Sequence, residues 1–320
     1  MKKLFLLSAL VAMIFAVSCS KEDTGMADAN QATATLTVKM PHQTVTKAFG
    51  DGKLQTKNLI IGVFDDKGEE MFRKNYEWNP EMFEDDIEIT FLVGHKYQLV
   101  FWSQYGNAYG NPETMPLDKI SLDYKKSNRE DLDAFYFYVP VFTVNKDFSM
   151  TVELNRPFAQ LNWATTVGDM DEAIKAGLDS KATVTIKNAA NTLDLFTGKT
   201  YFLDDKGEMN PNGEEIVIPA TEFPKDAEGK YYQMKIYDTQ YEIISMNYIL
   251  VADQNATEGK ATADLTLNVG SVKLDVHSAN MKRNHKTNIY GELLTAEGSF
   301  KVKVNPIFED ESNHNWNDNQ

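Results

Sequence analysis

Six separate stretches of this chain alternate apolar and polar residues with a period of two. Leu36, Val38 and Met40 alternate with Thr35, Thr37 and Lys39, and Ile87, Ile89 and Phe91 alternate with Glu88 and Thr90. The same rhythm returns at 150–154, 183–187, 272–277 and 300–305. Successive strand side chains point to opposite faces, so each stretch turns one face to a core and one to water. A helical bundle cannot use that pattern. Glycine-containing dipeptides punctuate the runs: Asp51-Gly52, Lys67-Gly68, Asn212-Gly213, Glu228-Gly229 and Glu258-Gly259, which are turn chemistry. One segment has helical period instead. Met170, Ile174 and Leu178 share a face, Asp169 is the expected cap with Glu172 completing a capping box, and Gly177 keeps the helix short. The chain reads as mainly β, built from antiparallel β-sandwiches with one or two short helices.

About 300 residues suffice for two domains with their own cores. The expected boundary lies at Asn155-Arg156-Pro157, because Pro157 interrupts strand pairing and apolar patterning resumes at Phe158, Leu161 and Trp163. The N-terminal sandwich would span 32–155 and the C-terminal one 156–308, with a polar tail over 309–320. Phe64-Asp65-Asp66-Lys67-Gly68-Glu69-Glu70-Met71 is echoed by Leu203-Asp204-Asp205-Lys206-Gly207-Glu208-Met209. Both follow an apolar run and read as hairpin tips.

Residues 1–18 carry a basic start, Lys2-Lys3, an apolar run from Leu4 to Val17, and small residues before Cys19. This is the form of a secretory signal peptide. Cys19 is the only cysteine, which leaves no disulfide and reads as the acylation site of a lipoprotein, carrying fatty-acyl chains such as palmitate. Residues 19–31 are then a lipidated flexible tether into the outer membrane. Ser20-Lys21-Glu22-Asp23 resembles the acidic export signal of surface lipoproteins. The formal charge is −15, and loss of Lys2 and Lys3 takes it to −17. Such a surface disfavours nucleic acid as a partner.

Catalytic motifs are missing: there is no H-E-x-x-H, G-x-S-x-G, phosphate loop or G-x-G-x-x-G. The five histidines are scattered. The Asp65-Asp66 and Asp204-Asp205 pairs lack a calcium-loop pattern and read as solvated turns. No enzyme activity, cofactor or metal is expected. Residues 103–133 break the strand rhythm with aromatic, glycine and asparagine residues. They read either as a surface connection covering the sandwich edge or, with Trp102, Tyr105 and Tyr109 exposed together, as a stacking platform for sugars.

Three segments carry a family likeness. Val45-Thr46-Lys47-Ala48-Phe49-Gly50-Asp51-Gly52, Arg156-Pro157-Phe158-Ala159-Gln160-Leu161-Asn162-Trp163, and Arg283-Asn284-His285-Lys286-Thr287-Asn288-Ile289-Tyr290-Gly291 followed by Leu293-Leu294-Thr295 resemble stretches of the Bacteroidota fimbrillins, the type V pilus subunits. The resemblance implies transthyretin-like sandwiches and assembly by strand exchange. A trypsin-like protease would remove the strand from Thr33 to Met40, cutting at Lys47, where the family often has arginine. The groove would then accept a strand from another pilin subunit. The tail after Phe308 is too polar to be a donor, so the last strand is expected at Ser299 to Phe308, pointing to a tip, an anchor or a non-polymerising relative. The expected location is the cell surface or fimbrium, with pilin subunits or a host or glycan surface as partners. The alternative is a glycan-binding surface lipoprotein of a polysaccharide-capture system.

Overall fold

A computed structural model describes residues 30–39, 58–77, 84–252, 260–295 and 299–305. The first half holds β1 (Gln31–Lys39), β2 (Asn58–Asp65), β3 (Glu70–Glu77), β4 (Glu84–Leu92), β5 (Lys96–Gln104), β6 (Lys119–Ser121), β7 (Ala134–Thr143) and β8 (Phe148–Glu153). A single 3-10 turn, Glu130–Leu132, precedes β7. The second half holds β9 (Ala159–Thr166), α1 (Val167–Lys175), β10 (Lys181–Ala190), β11 (Thr192–Asp194), β12 (Thr200–Leu203) and β13 (Met209–Asn210). It continues through β14 (Glu214–Glu222), β15 (Gln233–Ile236), β16 (Thr239–Val251), β17 (Lys260–Val269), β18 (Val272–Lys282), β19 (Lys286–Glu292) and β20 (Ser299–Asn305). The protein is mainly β, as its alternation dictates.

Two sheets build the first sandwich. One has the order β4-β1-β8, the other β3-β2-β5-β7. Leu36 and Val38 of β1, Ile89 of β4 and Val152 of β8 meet Leu59, Ile61, Leu99 and Phe101 of the facing sheet. A nine-stranded sheet forms the second half, ordered β18-β17-β10-β16-β9-β19-β20, with β14 also on β10 and β15 on β16. β10 carries this sheet around a corner. Its start pairs with β14 and β17, its end pairs with β16 at Ala189 and Ala190, and a register shift separates the two regions. Asn188 takes a left-handed φ of 62° there, which bends the strand as bulges do. The enclosed core includes Trp163, Ile186, Leu267 and Met281, with Met170 and Ala173 of α1 against it.

A third apolar cluster joins the halves. Ile60, Val100 and Trp102 occupy the far face of β2 and β5, and pack with Leu117 and Ile120 and with Phe158, Leu193, Met246 and Leu250 of the second half. The unbroken apolar runs Leu59–Phe64 and Leu99–Trp102 are therefore buried on both faces. β6 also crosses the expected boundary: it pairs antiparallel with β11, Leu193 opposite Ile120.

The two echoed segments adopt one turn. Asp65 Oδ1 accepts from the Lys67 and Glu69 amides at 2.9 Å each, and Asp204 Oδ1 accepts from the Lys206 and Glu208 amides at 2.9 and 2.7 Å. Gly68 and Gly207 take φ of 87° and 81°, which a side chain would resist. The carboxylates serve their own backbone, so both sites are hairpin tips. The helix differs from expectation at its start. Thr166, not Asp169, is the N-cap, and its hydroxyl accepts from the Asp169 amide at 3.2 Å. Asp169 sits one turn in because its carboxylate is held by another part of the chain. At the other end the Leu178 amide donates to Ala173 O and the Gly177 amide to Ile174 O, a Schellman cap that depends on Gly177.

Candidate functional site

The N-terminal strand is seated as a middle strand. β1 pairs antiparallel with β4, with Ala34 opposite Ile89 and Leu36 opposite Ile87. On its other side it runs parallel to β8, with Leu36 opposite Met150 and Val38 opposite Val152. Ala32, Ala34, Leu36 and Val38 are 0–2% exposed. Its outer face is polar: Thr37 Oγ1 donates to Asp86 at 2.6 Å, and Lys39 pairs with Glu84 at 3.1 Å. The ends are held by the Thr33 amide donating to Asp147 Oδ1 and the Leu154 amide donating to Lys39 O.

The seat has a narrow end and a wide end. Ala32 lies opposite Phe91 of β4, and Ala34 lies beside Phe148 of β8. Because both β1 residues are alanine, the two phenyl rings reach over the strand and stack, with centroids 6.2 Å apart and planes at 28°. Phe142 meets both rings edge-on at 6.0 and 5.6 Å. At the other end Leu36 and Val38 fill the space themselves. The order small, small, large, large fixes which register a strand can adopt there.

Cys19 and Lys47 lie outside the described residues. Trp102, Tyr105 and Tyr109 do not form an exposed platform. Trp102 is 0% exposed, with its indole Nε1–H donating to Gln104 Oε1 at 3.0 Å. It lies on the inward face of β5, where the second half covers it. Tyr109 meets Trp102 edge-on at 5.1 Å and stacks on Phe158 at 5.9 Å, and its hydroxyl donates to Leu132 O. Burial pushes that hydroxyl well above the usual tyrosine range. Tyr105 is half-buried in the loop beyond. The connection over 105–133 thus covers the sandwich, the other reading of its composition.

Two polar junctions escaped the sequence reading. The Arg156 guanidinium donates twice to Asp133, Nε to Oδ1 and Nη2 to Oδ2, both at 2.7 Å, and lies 4.4 Å over the Phe135 ring. Both side chains are buried, at 1% and 9% exposed. Asp169 accepts from the Leu294 amide at 2.8 Å, the Thr295 amide at 2.9 Å, and the Thr165 and Thr295 hydroxyls. The Leu293-Leu294-Thr295 turn after β19 is thereby latched to α1. Arg156 and Asp133 are 23 residues apart and Asp169 and Leu294 are 125 apart, so spacing gave no signal for either junction. Among the described residues no cluster of His, Cys, Asp and Glu is arranged to hold a metal, and no helix is long and apolar enough to cross a membrane.

A profile of a family of unknown function, DUF6562, matches residues 26–320. The chain belongs to that family. No curated protein matches it. Among solved structures it is similar to the tip fimbrial protein Mfa3 from Porphyromonas gingivalis, at 12% identity and a TM-score of 0.48, over 86% of this chain and 98% of that one. It is also similar to the fimbrial anchor protein Mfa2 from the same organism, at 10% identity and a TM-score of 0.44, over 86% and 98% of the two chains. A fimbrial assembly protein from Parabacteroides distasonis matches at 12% identity and a TM-score of 0.42, over 86% and 94%.

Proposed function

We propose that this member of DUF6562 is a surface-displayed, lipid-anchored subunit of fimbrial type, without catalysis, that joins its neighbours by exchange of β1. One observation carries the reading. The first strand of the fold sits between β4 and β8, hydrogen-bonded on both sides, with its whole apolar face in the core. Among the described residues it precedes every other strand, so once the segment between β1 and β2 is cut no other described strand has to unpair for it to leave. Its departure would open a groove with two unpaired edges and an empty apolar floor, the arrangement that accepts an added strand.

Magnitudes say when exchange would happen. Burying a Leu36 or Val38 side chain contributes about 1.5–3 kcal/mol each, and two ladders of backbone hydrogen bonds add to that. This is a sizeable part of the ~5–15 kcal/mol that holds a typical domain. An uncut chain therefore keeps its own strand, and a cut one retains it until a competing strand arrives. Lys47 lies in the segment between β1 and β2 and is the proposed cut. Cys19 would hold the uncut chain at the outer membrane until then.

Limited trypsin digestion of the 20–320 chain, read by mass spectrometry and size-exclusion chromatography, tests the reading. Cleavage at Lys47, displacement of the first strand by a strand of another subunit and appearance of oligomers is the expected course. A chain trimmed only at its tether and tail, monomeric throughout, would refute exchange.

A further inference from the structure

A groove of about 660 Å³ opens where the 125–130 segment meets the end of β14 and the start of β10. Lys125, Lys126, Lys181 and Lys225 line it, against Glu130 and Glu222. Acids outnumber bases across the chain, 47 to 32, so a groove where lysines outnumber glutamates two to one inverts the global balance. Two of these cations are committed locally. Lys125 pairs with Asp123 at 3.4 Å in an exposed contact, and Lys225 lies 4.5 Å over the Tyr231 ring. Among the described residues, Lys126 and Lys181 have no ion-pair partner, although Glu222 is the register neighbour of Lys181.

The walls are pinned together. Asn128 has a left-handed φ of 62°, a conformation that costs a non-glycine residue energy and needs surrounding contacts to persist. Four hydrogen bonds supply them. Its amide donates to Met246 O and its Oδ1 accepts from the Met246 amide, while its Nδ2 donates to Glu222 O. The neighbouring Ser127 amide donates to Thr221 Oγ1. The strained turn thus fixes the backbone that carries the exposed Lys125 and Lys126 across from β14.

We infer that this groove binds an acidic oligosaccharide, carboxylated or sulfated. The volume lies within the ~300–1,000 Å³ of ordinary ligand sites. Half-buried Tyr232 and Pro224 offer flat surfaces for a sugar ring. Backbone groups at the groove are already used: the Phe223 amide donates to Ser180 O and the Tyr232 amide to Pro224 O. At the groove itself the end of β14 is capped, because Glu222 O accepts from Asn128 Nδ2 and the Phe223 amide is taken by Ser180 O, so a sugar chain fits this end of the strand better than an added peptide strand. A nucleic acid, with a charge for each ~1.7 Å of duplex axis, would be repelled by the chain's overall −15. A short acidic glycan carries few charges and meets only the local positive field.

The test is calorimetric titration of the 20–320 chain with oligogalacturonate, a heparin-derived oligosaccharide, neutral maltohexaose, polyglutamate and sodium sulfate. Binding of one or both acidic glycans, weakened by salt and absent for maltohexaose, is the expected result. The uronate and heparin arms tell a carboxylate ligand from a sulfated one. The K126E/K181E variant alters two exposed side chains and should keep its melting temperature while binding weakens about tenfold or more. The inference is overturned if no acidic glycan binds or if the variant binds as tightly as the parent chain. It is equally overturned if polyglutamate binds better, or if free sulfate displaces the glycan at equal concentration. None of these outcomes depends on β1 exchange.

Discussion

Phe91 and Phe148 stack on each other across a strand that separates them. They belong to β4 and β8, and β1 lies between. The contact exists only because β1 presents Ala32 and Ala34 at that level. Any strand seated there must be small at those two positions. Ala34→Leu puts three extra carbons beneath the stacked rings. Overpacking of this kind costs about 1–3 kcal/mol. Urea denaturation of the uncut chain should show that loss, and an unchanged midpoint would mean the rings are free to part.

Trp102 tests the inward assignment of the 103–133 region. It contacts both halves of the molecule, so Trp102→Ala should cost about 3–5 kcal/mol as a cavity mutation. Binding of any acidic glycan at the lysine groove should persist in the variant at temperatures where it is folded. A fully stable W102A protein would return the tryptophan to the surface.

The Arg156–Asp133 pair joins the start of β9 to the start of β7. Arg156→Met leaves a buried carboxylate without its cation, which typically costs about 3–5 kcal/mol. Asp133→Leu in the same chain should recover much of that, because the stranded charge is gone. Equal destabilisation in the single and double variants would show that shape, and not charge, makes the junction.

Asp169 gives the protein an acid-sensitive latch. Burial raises its carboxyl, but hydrogen bonds from the Thr165 and Thr295 hydroxyls and the Leu294 and Thr295 amides together hold it below the ordinary value of 3.8. A carboxylate depressed on folding contributes stability that is complete above the unfolded value and disappears as pH falls through the folded one. Asp169→Asn should therefore lose about 1–3 kcal/mol at pH 7, and the gap from the parent chain should narrow below pH 4. Urea midpoints at pH 7 and pH 3 check this. A gap that stays constant would remove the carboxylate's charge from the account.

Local signals were readable where the partners of a residue lie close in sequence. The Asp65 and Asp204 turns were visible as hairpin tips because each carboxylate binds amides two and four residues on. The strand at 31–39 and the face of α1 were visible from their own periodicity, Leu36 alternating with Val38 and Met170 recurring at Ile174. Contacts over long separations were not. Asp169 looked like a helix cap because its true partner, Leu294, is 125 residues away. Trp102 fitted both a sugar platform and the root of a covering connection, because it directly precedes a loop. Its own strand held a warning: Leu99, Val100, Phe101 and Trp102 are apolar without alternation, which signals burial on both faces. The lysine groove left no mark in sequence, since its cations come from positions 125, 126, 181 and 225.

The central claim is that β1 is replaceable by an equivalent strand from outside. The most direct measurement cuts the chain between β1 and β2 and adds a fluorescent peptide of residues 20–47. Incorporation is followed by size-exclusion chromatography. The account predicts that the peptide enters the cut protein and displaces β1, that the uncut protein excludes it, and that Leu36→Asp in the peptide abolishes entry. Failure of the cut protein to take up the peptide, or equal uptake of the aspartate version, would contradict exchange at this site.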